Sequence, residues 1–360
     1  MFHTGHMTLN CSDHCPIFID CTQGERNRHS SRPFRFESFW SKDQECEEVV
    51  RSSWKSSHED VGLNLQQVAS DLRSWSNKKF RHPDRHCDVL EKKLHNLLRQ
   101  PPSNCNLSKI GATQRELDVA LRVKESFWAM RARDIHIEEG DANTRYFHQK
   151  ASARRRKNSI TCISQPDGSK VSDTIGIHDA LTCYFQNFFS TGTPFMSVEV
   201  EECIRPVITE EIKRQLTKDV TNDEIRMALK HIHPTKASGP DGFHTLFFKQ
   251  YWHIIGPDIC NMIKNIWAGN TSISAVNGTV LVLIPKIKKP LAIPDFRPIS
   301  LFNVSYKIFS KILVNRLRPW LPDIISENQS AFVAKRLITD NAIVAHEVFH
   351  SMKTRSTAKR

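Results

Sequence analysis

The side chains best placed for chemistry in this sequence are cations that follow an apolar run. Gly278-Thr279-Val280-Leu281-Val282-Leu283-Ile284-Pro285-Lys286 stops at a proline with a lysine beyond it, and Lys288 and Lys289 come next. Asp295-Phe296-Arg297-Pro298-Ile299-Ser300-Leu301 then starts a return strand. A hairpin with a basic tip suits phosphate, because lysine offers a point charge and arginine a planar fork. The same pattern also fits a charged edge hairpin whose lysines discourage aggregation. The unbroken run Val280–Ile284 predicts a buried strand. Upstream, Lys236-Ala237-Ser238-Gly239-Pro240-Asp241-Gly242-Phe243 reads as a tight turn. In it Gly239, Pro240, Asp241 and Gly242 have a structural role: Pro240 presets φ and Gly242 permits a positive one. Arg154-Arg155-Arg156-Lys157 is either a solvated helix face or a second grip on phosphate.

Metal chemistry finds less support. His3, His6, Cys11, His14 and Cys15 cluster near the start. Zinc sites bring their ligands as two close pairs joined by a longer loop, and that spacing is absent. No Cys-x-x-Cys occurs among the ten cysteines, and no two aspartates are adjacent anywhere. The expectation is that these residues hold no metal or other cofactor.

The elements that must position these residues can be inferred from length, charge and periodicity. At 360 residues the chain can bury a sizeable core in about two domains. Its 51 Lys and Arg against 39 Asp and Glu give +12, which suits a polyanion, nucleic acid before membrane. Residues 280–360 hold 14 Lys and Arg and 5 Asp and Glu, so most of the excess lies in the last quarter. No apolar run is long enough to span a bilayer, and no secretory signal opens the chain. An intracellular place, nucleus or cytoplasm, and no membrane partner are expected.

Residues 1–20 end in a short β-like run, Cys15-Pro16-Ile17-Phe18-Ile19, and 21–32 read as a polar linker. From Glu37 to about Gln100, Trp40, Val50, Trp54, Val68, Leu72 and Trp75 recur among charges at helical spacing. Pro101-Pro102-Ser103-Asn104 breaks that pattern, and a second helix runs from about Ala112 to Arg133. A small hairpin over 159–171 turns at Pro166-Asp167-Gly168-Ser169. Thr221-x-x-Glu224 has the spacing of a reciprocal capping box. The helix from Val304 to Arg318 should bury Ile308, Ile312, Leu313 and Leu317 and expose Lys307, Lys311 and Arg318. The fold class is α+β, predominantly helical, with a short β-hairpin.

In order, Lys-Ala-Ser-Gly-Pro-Asp-Gly (236–242), Leu-Ile-Pro-Lys (283–286), Asp-Phe-Arg-Pro-Ile-Ser-Leu (295–301) and Tyr-Lys-Ile-Phe-Ser-Lys-Ile-Leu-Val-Asn-Arg-Leu (306–317) resemble the reverse transcriptase of non-LTR (LINE-type) retrotransposons, plant elements most closely. Glu-Asn-Gln-Ser-Ala-Phe-Val (327–333) and Leu-Ile-Thr-Asp-Asn (337–341) continue the series. Arg32–Trp40 and Glu139–His148 are similar to the segment joining endonuclease to polymerase in these elements. Ser12-Asp13-His14-Cys15-Pro16-Ile17 looks like the end of their apurinic-type endonuclease. The resemblance therefore implies an endonuclease remnant over 1–20, a helical linker region over 21–205 and the N-terminal, fingers part of a reverse transcriptase over 206–360.

The resemblance further implies that Arg297 faces the phosphates of an incoming nucleotide, with Lys286 beside it, and that Arg336 lies near the template. Asp13 and His14 match an endonuclease pair in which aspartate orients histidine. Pro-Gly usually precedes that last arginine in the family and fixes its direction, where this chain has Ala334-Lys335. Polymerase chemistry takes two Mg²⁺ ions held by carboxylates. In the family these come from an aspartate motif and a Tyr-x-Asp-Asp turn, neither of which occurs here. The expectation is a truncated RNA-directed DNA polymerase that is catalytically incomplete and binds RNA or DNA, as template RNA or target DNA. A non-enzymatic nucleic-acid-binding module and a poorly folding pseudogene fragment remain open beside it.

Overall fold

The computed structural model describes residues 3–6, 17–20, 33–55, 60–80, 83–101, 103–132, 144–165, 168–190, 192, 207–331 and 333–357. The chain divides into two compact units, residues 1–34 and 35–360. In the first, β1 (His3–His6) pairs antiparallel with β2 (Ile17–Asp20), His3 opposite Asp20 and His6 opposite Ile17. Asp13 and His14 lie outside the described residues, as do Cys11 and Cys15.

The second unit is predominantly helical α+β. A 3-10 turn (Ser38–Lys42) leads to α1 (Gln44–Ser53) and α2 (Val61–Lys79). Each helix starts where an aspartate can cap it: Asp43 accepts the Glu45 N–H, and Asp60 accepts those of Gly62 and Leu63. Next come α3 (Pro83–Leu98), α4 (Asn104–Ala132) and α5 (Thr144–Lys157). The second predicted helix thus begins earlier than its apolar periodicity suggests, directly after the proline pair, with the Ser103 hydroxyl accepting the Asn106 N–H. Cys87 and Leu90 of α3 bury against Ala120 of α4, with Leu117 beside them. The Trp128 and His148 rings meet edge-on at 4.3 Å and join α4 to α5.

The hairpin of β3 (Ile163–Ser164) and β4 (Lys170–Val171) comes next, its turn closed by Gly168 at φ +83°. It leads into α6 (Thr174–Phe189), capped by Asp173, and then α7 (Glu210–Thr217) and α8 (Asn222–His231). Only half of the capping box forms. Thr221 accepts the Glu224 N–H, but the Glu224 carboxylate is taken by Arg316 at 2.6 and 2.8 Å. A two-point charged bond outweighs one reciprocal cap bond. The order then runs α9 (Thr245–Gln250), α10 (Trp252–Trp267), β5 (Thr279–Pro285), β6 (Phe296–Phe302), α11 (Val304–Leu317), α12 (Leu321–Ile324) and α13 (Ile338–Thr357). Among the described residues no helix is long and apolar enough to cross a membrane.

Two burial expectations are corrected. In α11 the buried stripe is Val304, Ser305, Ile308 and Ile312, while Leu313 and Leu317 are exposed and Lys307 and Lys311 are half-buried. One face repeating every three to four residues meets the core, and Leu313 and Leu317 fall just past its edge. In β5, Val280, Leu281, Val282 and Ile284 are exposed rather than buried, because among the described residues β5 and β6 form a two-stranded ribbon and the apolar cluster packed on its face takes in only Leu283 of β5.

The core centres on Phe36, which is fully buried. Its ring meets Trp40, Phe247 and Tyr251 edge-on at 5.5, 5.2 and 6.3 Å, and its N–H donates to the Gly242 carbonyl at 3.0 Å. Around it, Arg131 forms a two-point ion pair with the buried Glu37 at 2.6 and 3.1 Å. The Trp54 indole donates to Asp258, and the Tyr251 hydroxyl to the Cys46 sulfur, tying α1 to α10. A Phe36→Ala variant should therefore lose about 3–5 kcal/mol of stability in urea unfolding. An unchanged midpoint would mean that this ring does not hold the two parts of the unit together.

Candidate nucleic-acid interface

The hairpin that carries Lys286 and Arg297 has seven paired positions, from Thr279 opposite Phe302 to Pro285 opposite Phe296. Beyond the strands the Lys286 N–H donates to the Asp295 carbonyl at 2.8 Å, and its ammonium donates to the Pro294 carbonyl at 2.7 Å. The Asp295 carboxylate accepts the Leu291 and Ala292 N–H groups at 3.0 and 2.9 Å. Those two backbone donors, with the nearby Lys286 charge, hold its pKa below the usual aspartate range. The loop at the tip is therefore built by the backbone around one aspartate, leaving Lys288 and Lys289 exposed.

Strand alternation gives the ribbon two different faces. Leu283 packs on one side against Ile163, Phe185 and Ile293. Arg297 lies opposite Ile284, so it shares the other side with Val280, Val282, Ile284 and Ile299, all exposed. Lys286 lies two residues past Ile284, at the end of that open side. Among the described residues no carboxylate pairs with Lys286, Lys288, Lys289 or Arg297. Elsewhere Arg131 and Arg316 are spent on Glu37 and Glu224.

The turn at 239–242 is closed by the Gly242 N–H on the Gly239 carbonyl at 3.1 Å, with Gly242 at φ +79°. Gly239 lies so close to Asn303 that a Cβ there would collide with its side-chain oxygen and backbone nitrogen. Asn303 opens α11, and its side chain, instead of capping that helix, accepts the Asp241 N–H at 3.2 Å. Lys307 donates to the Ala237 carbonyl at 2.7 Å. Asp241 is largely buried: one carboxylate oxygen accepts the Phe243 N–H and the other has no partner. Burial pushes its pKa up to about 6, against the opposing pull of the Phe243 N–H and Lys307.

Arg336 is differently employed. Its guanidinium donates to four backbone carbonyls, those of Ser326, Gln329, Pro322 and Ile325, at 2.6 to 3.2 Å. It wraps the turn after α12, and Lys335 before it adopts φ +69°. A glycine would take that left-handed conformation without strain.

Sequence reasoning missed the aromatic seat of Phe36 and the role of Asn303. The aromatic density of Phe34–Trp40 was a visible signal for the first, and nothing local marked the second. Among the described residues no three His, Cys, Asp or Glu side chains converge as metal ligands.

Fold and surface together define a helical α+β protein that presents unpaired cations on an open hairpin. Over 212 residues the chain is 30% identical to the Transposon TX1 uncharacterized 149 kDa protein of Xenopus laevis. That match covers 58% of this chain and 16% of the relative, so the chain corresponds to a small part of it. No family profile matches the chain. It is thus similar to a transposon-encoded protein.

Two outcomes are expected. Lys335→Gly relieves the left-handed strain and should raise stability by about 1 kcal/mol, read as a higher thermal midpoint. For Asp241, the folded pKa lies above the unfolded one, so the folded state binds more protons between about pH 4 and 6. Its contribution to stability is therefore greatest in acid and is lost as pH rises through about 6. Asp241→Asn keeps an acceptor for Phe243, so it should match the parent near pH 4 and be about 1–3 kcal/mol more stable at pH 7. Urea midpoints across that range check it, and a gain independent of pH would refute the buried-carboxylate account.

Proposed function

We propose that this chain is the linker region and the N-terminal, fingers part of a reverse transcriptase of the non-LTR (LINE-type) retrotransposon class, plant-like in its motifs, and that it holds RNA or DNA by the phosphate backbone. The observation that carries this reading is the exposed hairpin with Lys286, Lys288, Lys289 and Arg297, none of them paired with a carboxylate among the described residues, standing within an ordered series of family motifs. Its similarity to a transposon protein fits the same reading. On this proposal residues 21–205 and 206–360 are adjoining functional parts that share a core through Phe36. Residues 1–20 derive from the end of an endonuclease domain. Arg297 and Lys286 then act on phosphates, whereas Arg336 shapes the turn behind them.

The role of these residues is to bind and orient rather than to join nucleotides. An arginine offers a phosphate two parallel N–H donors and a lysine adds mobile charge, with no proton transfer required. The open apolar side of the ribbon, next to Arg297, gives nucleotide bases a surface to lie against. Mg²⁺ would supply the two-metal chemistry in a complete family enzyme, as charge stabilisation of the transferring phosphate.

Binding of a labelled single-stranded RNA or DNA should weaken linearly in log–log form as salt rises. The double variant Lys286→Ala/Arg297→Ala should bind about tenfold more weakly and show a slope shallower by about 2. Primer extension with Mg²⁺ should yield no product from either protein. Salt-insensitive binding, or a double variant that binds like the parent, would overturn the assignment of this hairpin.

A further inference from the structure

A second basic segment, far away in sequence, runs into a strand that is anchored on the hairpin. Residues 144–165 contain six Lys and Arg and no Asp or Glu. Four of the six, Arg154, Arg155, Arg156 and Lys157, form the last turn of α5, and all are exposed. Cations at a helix C-terminus are favoured by the helix dipole, which accounts for one or two of them but not for four. Among the described residues none of the four has a carboxylate partner.

The segment after α5 is anchored on the hairpin. The Ser164 N–H donates to the Leu291 carbonyl at 2.8 Å, and Ser164 bridges Ala292 in parallel. Ile163 is fully buried with Phe185 and Ile293, and Leu283 of β5 packs on the same cluster. Leu291, Ala292 and Ile293 belong to the hairpin's own loop, next to Lys288 and Lys289. The chain from Lys157 to Ile163 reaches at most about 20 Å, and Lys289 stands within about 7 Å of Leu291. The first steps after α5 are shorter still, because the Asn158 and Ser159 N–H groups fold back on Arg154 and Arg156. Through that anchor the backbone path between the two basic segments is therefore at most about 36 Å, a span of about eleven nucleotides at about 3.4 Å each.

We infer that α5 and the hairpin tip form one composite phosphate-binding face, so that a single nucleic-acid strand is gripped by the linker region and the hairpin at once. This rests on the nucleic-acid reading proposed for the hairpin and extends it to residues outside the reverse-transcriptase motifs. The apolar cluster of Ile163, Phe185 and Ile293 is the fixture that sets their separation. The only carboxylate between residues 278 and 301 is that of Asp295, already occupied by two backbone donors, so the face is cationic without interruption on the hairpin side.

The test is a titration of the full chain with a labelled single strand of about 12 nucleotides, followed by anisotropy across a salt series. The parent is compared with an α5 variant (Arg154→Gln, Arg155→Gln, Arg156→Gln, Lys157→Gln) and with Lys286→Ala/Arg297→Ala. All the α5 positions are exposed, so circular dichroism should be unchanged. A composite face gives one strand per chain, a loss of about tenfold or more in the α5 variant, and a salt slope shallower by about 2 to 4. Two strands per chain, with the α5 variant removing one and leaving the other at full affinity, would mean separate sites and overturn the inference. So would an α5 variant that binds like the parent while the hairpin variant weakens, although the proposed function would then stand. No binding by the parent would overturn both.

Discussion

The seating of Phe36 among Phe243, Phe247, Tyr251 and Trp40 is the contact through which the early and late parts of the second unit become one body. A phenylalanine buried on all sides supplies a few kcal/mol, comparable to the net stability of a domain. What makes this one specific is its backbone. The Phe36 N–H is bonded to the Gly242 carbonyl, so the ring cannot slide in its pocket without losing a buried hydrogen bond. Glu37 next in sequence is fixed by Arg131 at the end of α4, so a single dipeptide orients both the aromatic core and the helical arm.

From that point a short physical path leads to the hairpin. Gly242 closes its turn on Gly239, Gly239 lies against Asn303, and Asn303 comes directly after the end of β6. Each step tolerates little change. Gly242 needs a positive φ, Gly239 has no room for a methyl group, and Asn303 has given its side chain to the Asp241 N–H rather than to its own helix. The basic ribbon is thereby held at its base by the core and at its tip by Ile163 and Ser164 from another element. Its side carrying Arg297 needs neither attachment and stays open. Asp241 shows that this rigidity has a cost, since its burial leaves one carboxylate oxygen without a partner.

Much of this was legible in the residues. Helix starts at Asp43, Asp60, Asp173, Thr209 and Thr221 arise from short polar side chains that satisfy free N–H groups, which is a local property. The antiparallel pairing around Lys286 and Arg297 was signalled by two β-rich runs separated by a loop of lysines and prolines. Burial was harder to read. An apolar run such as Val280–Ile284 looks alike whether its neighbour is a strand, a helix or water, and here only Leu283 found a partner. The partial capping box has the same origin, because the demand of Arg316 on Glu224 comes from a helix more than ninety residues away.

The fates of the arginines separate folding from function more sharply than their number does. Arg131, Arg316 and Arg336 commit guanidinium donors to carboxylates or backbone carbonyls, and a phosphate could take those donors only by breaking the bonds. Charged groups bonded in that way stabilise a fold and are costly to disturb. Arg154, Arg155, Arg156 and Arg297 sit in water with donors to spare and repel one another mildly through it. On the proposed reading, a bound phosphate backbone would remove that repulsion and release condensed counterions, so the gain would belong to the bound state alone. A net charge of +12 is therefore a poor guide by itself. The informative quantity is the subset of cations that the fold leaves unpaired, and that subset includes the end of α5 and the tip of the hairpin, whose loop is bonded to the strand that follows α5.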